Sequence, residues 1–159
     1  MRKLWIFGSA ALVVAVALAT TASATVAPIA FTGKYTGTAT TKAADTVVTI
    51  NANGKGKGFL LGAGTIVGVG TADSSQRPCV PFLGTGKIAG AGGTIIFRVK
   101  PGTSGCGDDA GAFFTISGKA TVLKATGKLA KRKGTLKMSG TYDRNSGAFS
   151  IKFTGSLTA

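Results

Sequence analysis

The sequence predicts an all-β protein: a single antiparallel β-barrel of about 8 to 10 strands. Apolar and polar residues alternate with a period of two, most regularly over 134–157, where the turn-rich segment 143–147 separates two alternating runs. Glycine-rich segments divide the rest of the chain into short runs of the same kind. No segment after the N-terminal leader has helical periodicity. We expect a closed or nearly closed barrel, because closure removes strand edges that would otherwise aggregate.

The N-terminal residues predict export. A basic start, 1–3, precedes an almost wholly apolar run, 4–19, and Ala22-Ser23-Ala24 offers the small residues of a cleavage site. A membrane anchor is the alternative, but the apolar run is shorter than the ~20 residues that a spanning helix needs. We therefore divide the chain into a signal peptide, 1–24, and a β-barrel domain, 25–159, and expect a secreted or cell-envelope protein after cleavage near Ala24.

The first half of the domain predicts four strands. The alternating or β-branched runs lie at 31–41, 46–51, 56–61 and 65–71. Asn53-Gly54 separates the second run from the third, and Asn-Gly is the strongest short hairpin signal because both residues tolerate positive φ. The sequence thus predicts a hairpin turn at Asn53-Gly54.

The second half predicts a weaker strand at 82–89, a turn at 90–93 and a strand at 94–100. Two further strands, 112–117 and 120–125, are expected to join at Gly118-Lys119, and a basic connection leads into the hairpin of 134–157. Polar loops at 72–80 and 101–111 carry the cysteines.

Cys79 and Cys106 are the only two cysteines. An even count in an exported chain predicts one disulfide. If the strands near Phe82 and Ile95 run antiparallel, the loops before and after them lie at the same end, which brings the two sulfurs together. Buried free thiols are the alternative. A metal pair would lack further ligands, since the chain has no His and no Glu.

One motif occurs twice. GTGKIA at 84–89 precedes Gly93, and ATGKLA at 125–130 precedes Gly134, at a constant offset of 41 residues. Each copy predicts a glycine-opened turn, a short extended piece that buries one aliphatic side chain, and a glycine that starts the next strand. Together with Gly90, Ala91 and Gly93, the first copy resembles the turn that precedes a late strand in allene oxide cyclase and dirigent-like barrels; the second fits in part, with Arg132 where the first has Ala91.

This resemblance implies an eight-stranded barrel, often oligomeric, with a hydrophobic cavity open at one end. A homo-oligomer is therefore among the partners we consider. The resemblance carries no activity over, because those enzymes rely on acidic residues in or near the cavity and this chain has no Glu.

The residue types that most enzymes use are missing. Without His or Glu, the usual acid–base pairs and Ser-His-Asp arrangements cannot form. We predict no catalytic residue, no metal ligand and no cofactor. Asp108-Asp109 is interpreted as a turn former, and Tyr35 and Tyr142 as core residues. Gly54 to Gly58 alternates Gly and Lys but lacks the spacing of a phosphate-binding loop.

The domain is strongly basic. Without Arg2 and Lys3 it keeps 17 Lys and Arg against five Asp, a net charge of about +12. The cluster Lys128, Lys131, Arg132 and Lys133 is the best candidate for binding an anionic cell-envelope polymer or lipid headgroups; an ordinary solvated surface is the alternative. Exposed aromatic residues are too scarce to favour nucleic acid.

The sequence thus predicts a secreted, basic, non-enzymatic barrel with a binding or structural role at the cell surface. The alternative is a cavity barrel that binds, or steers a reaction of, a small apolar ligand.

Overall fold

The computed structural model describes residues 27–159. The signal peptide predicted at 1–24 lies outside the described residues. Nine strands fill most of this range, with one 3-10 turn, Gly127–Leu129, before the eighth. The strands are β1 (Ile29–Ala44), β2 (Val47–Gly58), β3 (Gly62–Asp73), β4 (Cys79–Gly90), β5 (Gly93–Val99), β6 (Ser104–Gly107), β7 (Phe113–Ala125), β8 (Lys133–Asp143) and β9 (Ala148–Thr158).

The strands form one closed antiparallel barrel. Around the wall the order is β3-β2-β1-β9-β8-β7-β5-β4, and pairing of β4 with β3 closes the circle of eight strands. The short β6 is the extra strand: it pairs with the start of β4 and the first half of β7, so it continues β5 in the same position of the wall. The predicted all-β barrel is confirmed. Within 27–159, no helix is long and apolar enough to cross a membrane.

Thr103 marks the break between β5 and β6. Its side chain is buried, and its hydroxyl accepts a hydrogen bond from the Lys119 amide at 3.1 Å and donates to the Lys119 carbonyl at 3.2 Å. A Cβ at Gly118 would overlap the Thr103 side chain. The prediction that Gly118 joins two strands is therefore wrong: β7 runs unbroken through it, and the glycine makes room for Thr103.

The predicted hairpin at Asn53-Gly54 is also wrong. Both residues lie inside β2, where Asn53 faces Thr38 and Gly54 faces Gly37 across the β1 ladder. A Cβ at Gly54 would lie 2.5 Å from the Thr36 carbonyl oxygen, so the glycine allows close approach of two strands. The chain turns instead between β2 and β3, where Leu60 has φ 62°.

The two motif copies differ in local structure. Residues 84–89 lie within β4, whereas 125–130 include the end of β7 and the 3-10 turn, so the prediction of a turn in both copies is wrong for the first. What they share is a fully buried aliphatic residue, Ile88 or Leu129. A glycine with positive φ follows each, Gly93 at 134° and Gly134 at 152°.

Large apolar side chains close one end of the barrel. The turn after β2 contributes one of them and the 3-10 turn another, and the remaining ones point inward from the strands at this end. All are 2 % exposed or less. They are Phe31, Leu61, Ile88, Ile95, Leu129, Leu136 and Leu157. We call this the closed end, and the end where β1 stops and β2 starts the open end.

The disulfide between Cys79 and Cys106 is formed, with Cα atoms 3.9 Å apart. The two residues face each other in the β4–β6 ladder at the open end, as the parity of the strands predicts. The pair is separated by 27 positions, and closing a loop of that size stabilises the fold by about 3 to 4 kcal/mol.

Tyr35 lies at the centre of the core, 1 % exposed, with its ring edge-on to Phe153 at 6.4 Å between centroids. Its hydroxyl lies over Gly58 and has no hydrogen-bond partner among residues 27–159. Burial raises the pKa of Tyr35 to about 12, because the phenolate would lose its hydration.

Replacing Tyr35 with Phe should raise the free energy of unfolding by about 1 kcal/mol at neutral pH, since an unpaired buried hydroxyl is removed. Between the unfolded pKa of about 10 and the folded pKa of about 12, the folded wild type holds more protons than the unfolded chain. Its stability therefore falls as pH rises through this window. Denaturant titrations of both proteins across that window should show a loss in the wild type that is absent in Tyr35→Phe; equal slopes would contradict it.

Candidate functional site

The half of the barrel towards the open end contains a cavity of about 330 Å³. It begins on the open-end side of the core residues Tyr35 and Phe153, and it reaches the connections that surround the open end. Its lining is mostly apolar. Since a water occupies about 30 Å³ in the liquid, the space corresponds to roughly ten water-sized groups. That volume lies at the small end of the range of ligand-binding pockets.

Small residues on one side of the barrel create this space. Ala39, Ala52, Gly68 and Gly86 face one another in register across β1, β2, β3 and β4, and their side of each strand is turned inward. The opposite side supplies large residues, with Phe97 and Phe153 in contact at 5.2 Å between ring centroids. The small residues project at most a methyl group inward, so the space in front of them stays unfilled except where the Phe97 ring packs against Gly86.

Gly68 has the most room of this series. A Cβ there would meet only the Thr85 carbonyl oxygen, at 3.5 Å, which is an ordinary contact. The φ of Gly68 is not in the left-handed region, so a side chain would cause no backbone strain. By contrast, a Cβ at Gly86 would overlap the ring of Phe97. Gly68 is therefore a position where a larger residue can occupy the cavity without disturbing the wall.

Two arginines lie at the mouth of the cavity, which is at the open end of the barrel. Arg77, in the connection before β4, and Arg144, in the connection after β8, both line the cavity and are otherwise exposed. The Arg77 guanidinium lies near Gly111, and the Arg144 amide donates to the carbonyl of the neighbouring Ala112 at 2.9 Å. The mouth thus places two cationic groups beside an apolar interior.

The carboxylates near the mouth are used in turns. Asp108 accepts hydrogen bonds from the amides of Ala112 and Phe113, as expected of a turn former. The hydroxyl of Ser75 donates to Asp73 and lowers the pKa of that carboxyl, and Ser146 does the same for Asp143. Asp73 and Asp143 are therefore anionic at neutral pH, and all three carboxylates already accept hydrogen bonds. Within 27–159, no three His, Cys, Asp or Glu residues lie close enough together to hold a metal ion.

The predicted basic cluster lies at the opposite, closed end. Lys128, Lys131 and Lys133 are exposed around the 3-10 turn and the start of β8. Arg132 differs from them: its guanidinium donates to the Ala27 carbonyl at 2.6 Å and to the Leu157 carbonyl at 3.3 Å. It therefore holds the segment before β1 against β9, whereas the three lysines are exposed to solvent.

Tyr35 is a core residue, as predicted, whereas Tyr142 lines the cavity, with its ring 6.2 Å from that of Phe114. Sequence reasoning missed Gly68 and Arg77. The signal for Gly68 was present, because Gly68, Gly70 and Ala72 continue the inward face that starts at Ile66 with small residues. Nothing in the sequence placed Arg77 and Arg144 at the same mouth.

Comparison with models of known protein families and with curated proteins finds no match.

Proposed function

We propose that this protein is an exported barrel that binds a small apolar ligand in its cavity. The observation that carries the proposal is the unfilled, apolar interior at the open end. A binding site of this kind is concave and mainly apolar, with a few polar groups that orient the ligand. Here the polar groups are Arg77 and Arg144, which would contact the polar end of a ligand whose apolar part lies among Phe82, Phe149 and Met138.

Export is part of the proposal. Its supports are the signal-peptide pattern at 1–24 and the disulfide between Cys79 and Cys106, which is compatible with an extracellular location. Kinship with allene oxide cyclase and dirigent-like barrels, with the oligomer that it implies, remains a prediction from the two short motifs. The missing His and Glu favour binding over catalysis.

Gly68→Leu should fill the cavity and weaken binding of N-phenyl-1-naphthylamine, a neutral fluorescent probe of apolar sites, by about tenfold or more. The matched control is Val67→Leu, the neighbouring position on the outer face, where the side chain is 43 % exposed. Fluorescence titrations measure the affinity, and thermal unfolding shows that both variants fold. Unchanged affinity in folded Gly68→Leu would exclude the cavity as the binding site. Native mass spectrometry of protein from its host would identify the natural ligand.

A second function, binding of an anionic cell-envelope polymer or of lipid headgroups, is favoured by the distribution of charge. All five acidic residues lie at the open end: Asp45, Asp73, Asp108, Asp109 and Asp143 are in or next to its connections. The closed end and the adjoining half of the wall therefore carry cations without any acid between them. Such a surface attracts polyanions strongly.

The triple variant Lys128→Gln, Lys131→Gln and Lys133→Gln should elute from an anionic-polymer column at lower salt than the wild type, since each lost contact reduces the salt dependence. Arg132 is left intact because it holds Ala27. The control removes the same charge elsewhere, by Lys42→Gln, Lys87→Gln and Lys100→Gln. If both triple variants elute together, net charge alone determines retention and the closed-end cluster has no special part in it.

A further inference from the structure

Five exposed lysines form a row across the outer face of the barrel, which we name the lysine row. Each lies on a different strand, and the five strands are neighbours in the wall, in the order β2, β1, β9, β8 and β7. In that order they are Lys57, Lys34, Lys152, Lys137 and Lys119.

The strand register brings these side chains next to one another. Lys34 is directly opposite Lys57 on one side and Lys152 on the other. Lys137 is directly opposite Lys119. The set of three lysines and the pair are diagonal neighbours. Lys152 faces Ser139, which lies two residues from Lys137 on the same face of β8. Directly opposite residues have Cβ atoms about 4.5–5.5 Å apart.

This arrangement is unfavourable for folding alone. Like charges directly opposite each other in a sheet destabilise the pairing, and here three lysines in succession do so. No carboxylate relieves the repulsion, since all five acidic residues of the chain lie at the open end. An anionic partner along the row would convert the repulsion into attraction.

We propose that the lysine row is the binding track of a flexible polyanion, a chain with repeated phosphate or carboxylate groups that wraps around the barrel wall. The inference rests on the second proposed function and assigns it to specific residues. It places the main contacts on the wall, where the cations are aligned, with Lys128, Lys131 and Lys133 at the closed end as a secondary contribution.

The shape of the row favours a flexible polymer over a membrane. The row crosses four of the eight gaps between strands of the closed wall, which is half of the circumference. At about 4.8 Å for each step between strands, its length is roughly 20 Å along a strongly curved path. A flat bilayer can approach only the middle of such a path, whereas a flexible chain follows it and contacts every lysine.

The test compares three triple variants that each remove three positive charges. The row variant is Lys34→Gln, Lys57→Gln and Lys152→Gln; the other two are the closed-end variant and the control with Lys42, Lys87 and Lys100 replaced by Gln. Binding to fluorescently labelled inorganic polyphosphate and to poly-glutamate is measured by anisotropy across a salt series. Vesicles of neutral and anionic phospholipid in equal parts provide the membrane arm.

We expect the row variant to bind each polymer about tenfold or more weakly than the wild type. The slope of log Kd against log salt concentration should fall by about 2 to 3. The control should lose less than about threefold, and the closed-end variant should fall between the two. The melting temperature of the row variant should rise at low salt, because its repulsion is relieved. Stronger loss with polyphosphate than with poly-glutamate identifies a phosphate polymer, and the reverse identifies a carboxylate polymer.

Failure takes distinct forms. If wild type binds neither polymer, polyanion binding and the lysine row are both overturned, and the cavity proposal is unaffected. If wild type binds but the row and control variants lose equally, only the assignment to the row is overturned. Row-dependent binding to vesicles without row-dependent binding to either polymer would show that the partner is a membrane surface and overturn the wrapped polymer.

Discussion

The pairing of β3 with β4 is the interaction on which the rest of the structure depends. It joins the two ends of the sheet, and it does so largely through glycine: Gly64 faces Gly90, Gly68 faces Gly86 and Gly70 faces Gly84. Side chains at several of these positions would overlap the carbonyl oxygens of the neighbouring strand. The missing Cβ atoms at Gly64, Gly70, Gly84 and Gly90 let the neighbouring strands approach closely at this seam, whereas Gly68 has room for a side chain.

The same glycines explain why the interior is unfilled. The glycine pairs project no side chain inward, so between the pairs Ile66–Ile88 and Ala72–Phe82 the β3–β4 seam adds nothing to the core. Phe97, Phe149 and Phe153 supply bulk from other strands but do not span the barrel. Towards the closed end, the leucines at 61 and 129 come from outside the strands and fill the space that the seam leaves. Closure and cavity are thus two results of one backbone constraint.

Most of the architecture could be predicted because period-two alternation reports directly on which side chains face inward. Phe153, Ile151 and Leu136 are buried as the pattern indicates. The failures have a common cause in long-range pairing. The turn preference of Asn53-Gly54 is local, whereas β2 forms twelve residue pairs with β1 and twelve with β3, and these outweigh it. The continuity of β7 through Gly118 likewise depends on Thr103, which is distant in sequence.

The candidate sites were predictable to a lesser extent, because they depend on register and on the placement of loops. Composition identified a basic surface, but only the ladders show that Lys34 lies between Lys57 and Lys152. Arg132 looked like a free member of a cluster, and its role became visible only once the segment that precedes β1 was in place beside it. The mouth of the cavity joins Arg77 and Arg144 from connections 67 residues apart in sequence.

The confinement of every acidic side chain to one end gives the molecule a permanent electric dipole along the barrel axis. Near any negatively charged wall, the field exerts a torque that points the closed end inward and the mouth outward. A barrel held in this way would keep its aperture turned to the surrounding medium, ready to exchange small molecules while its closed end faces the wall.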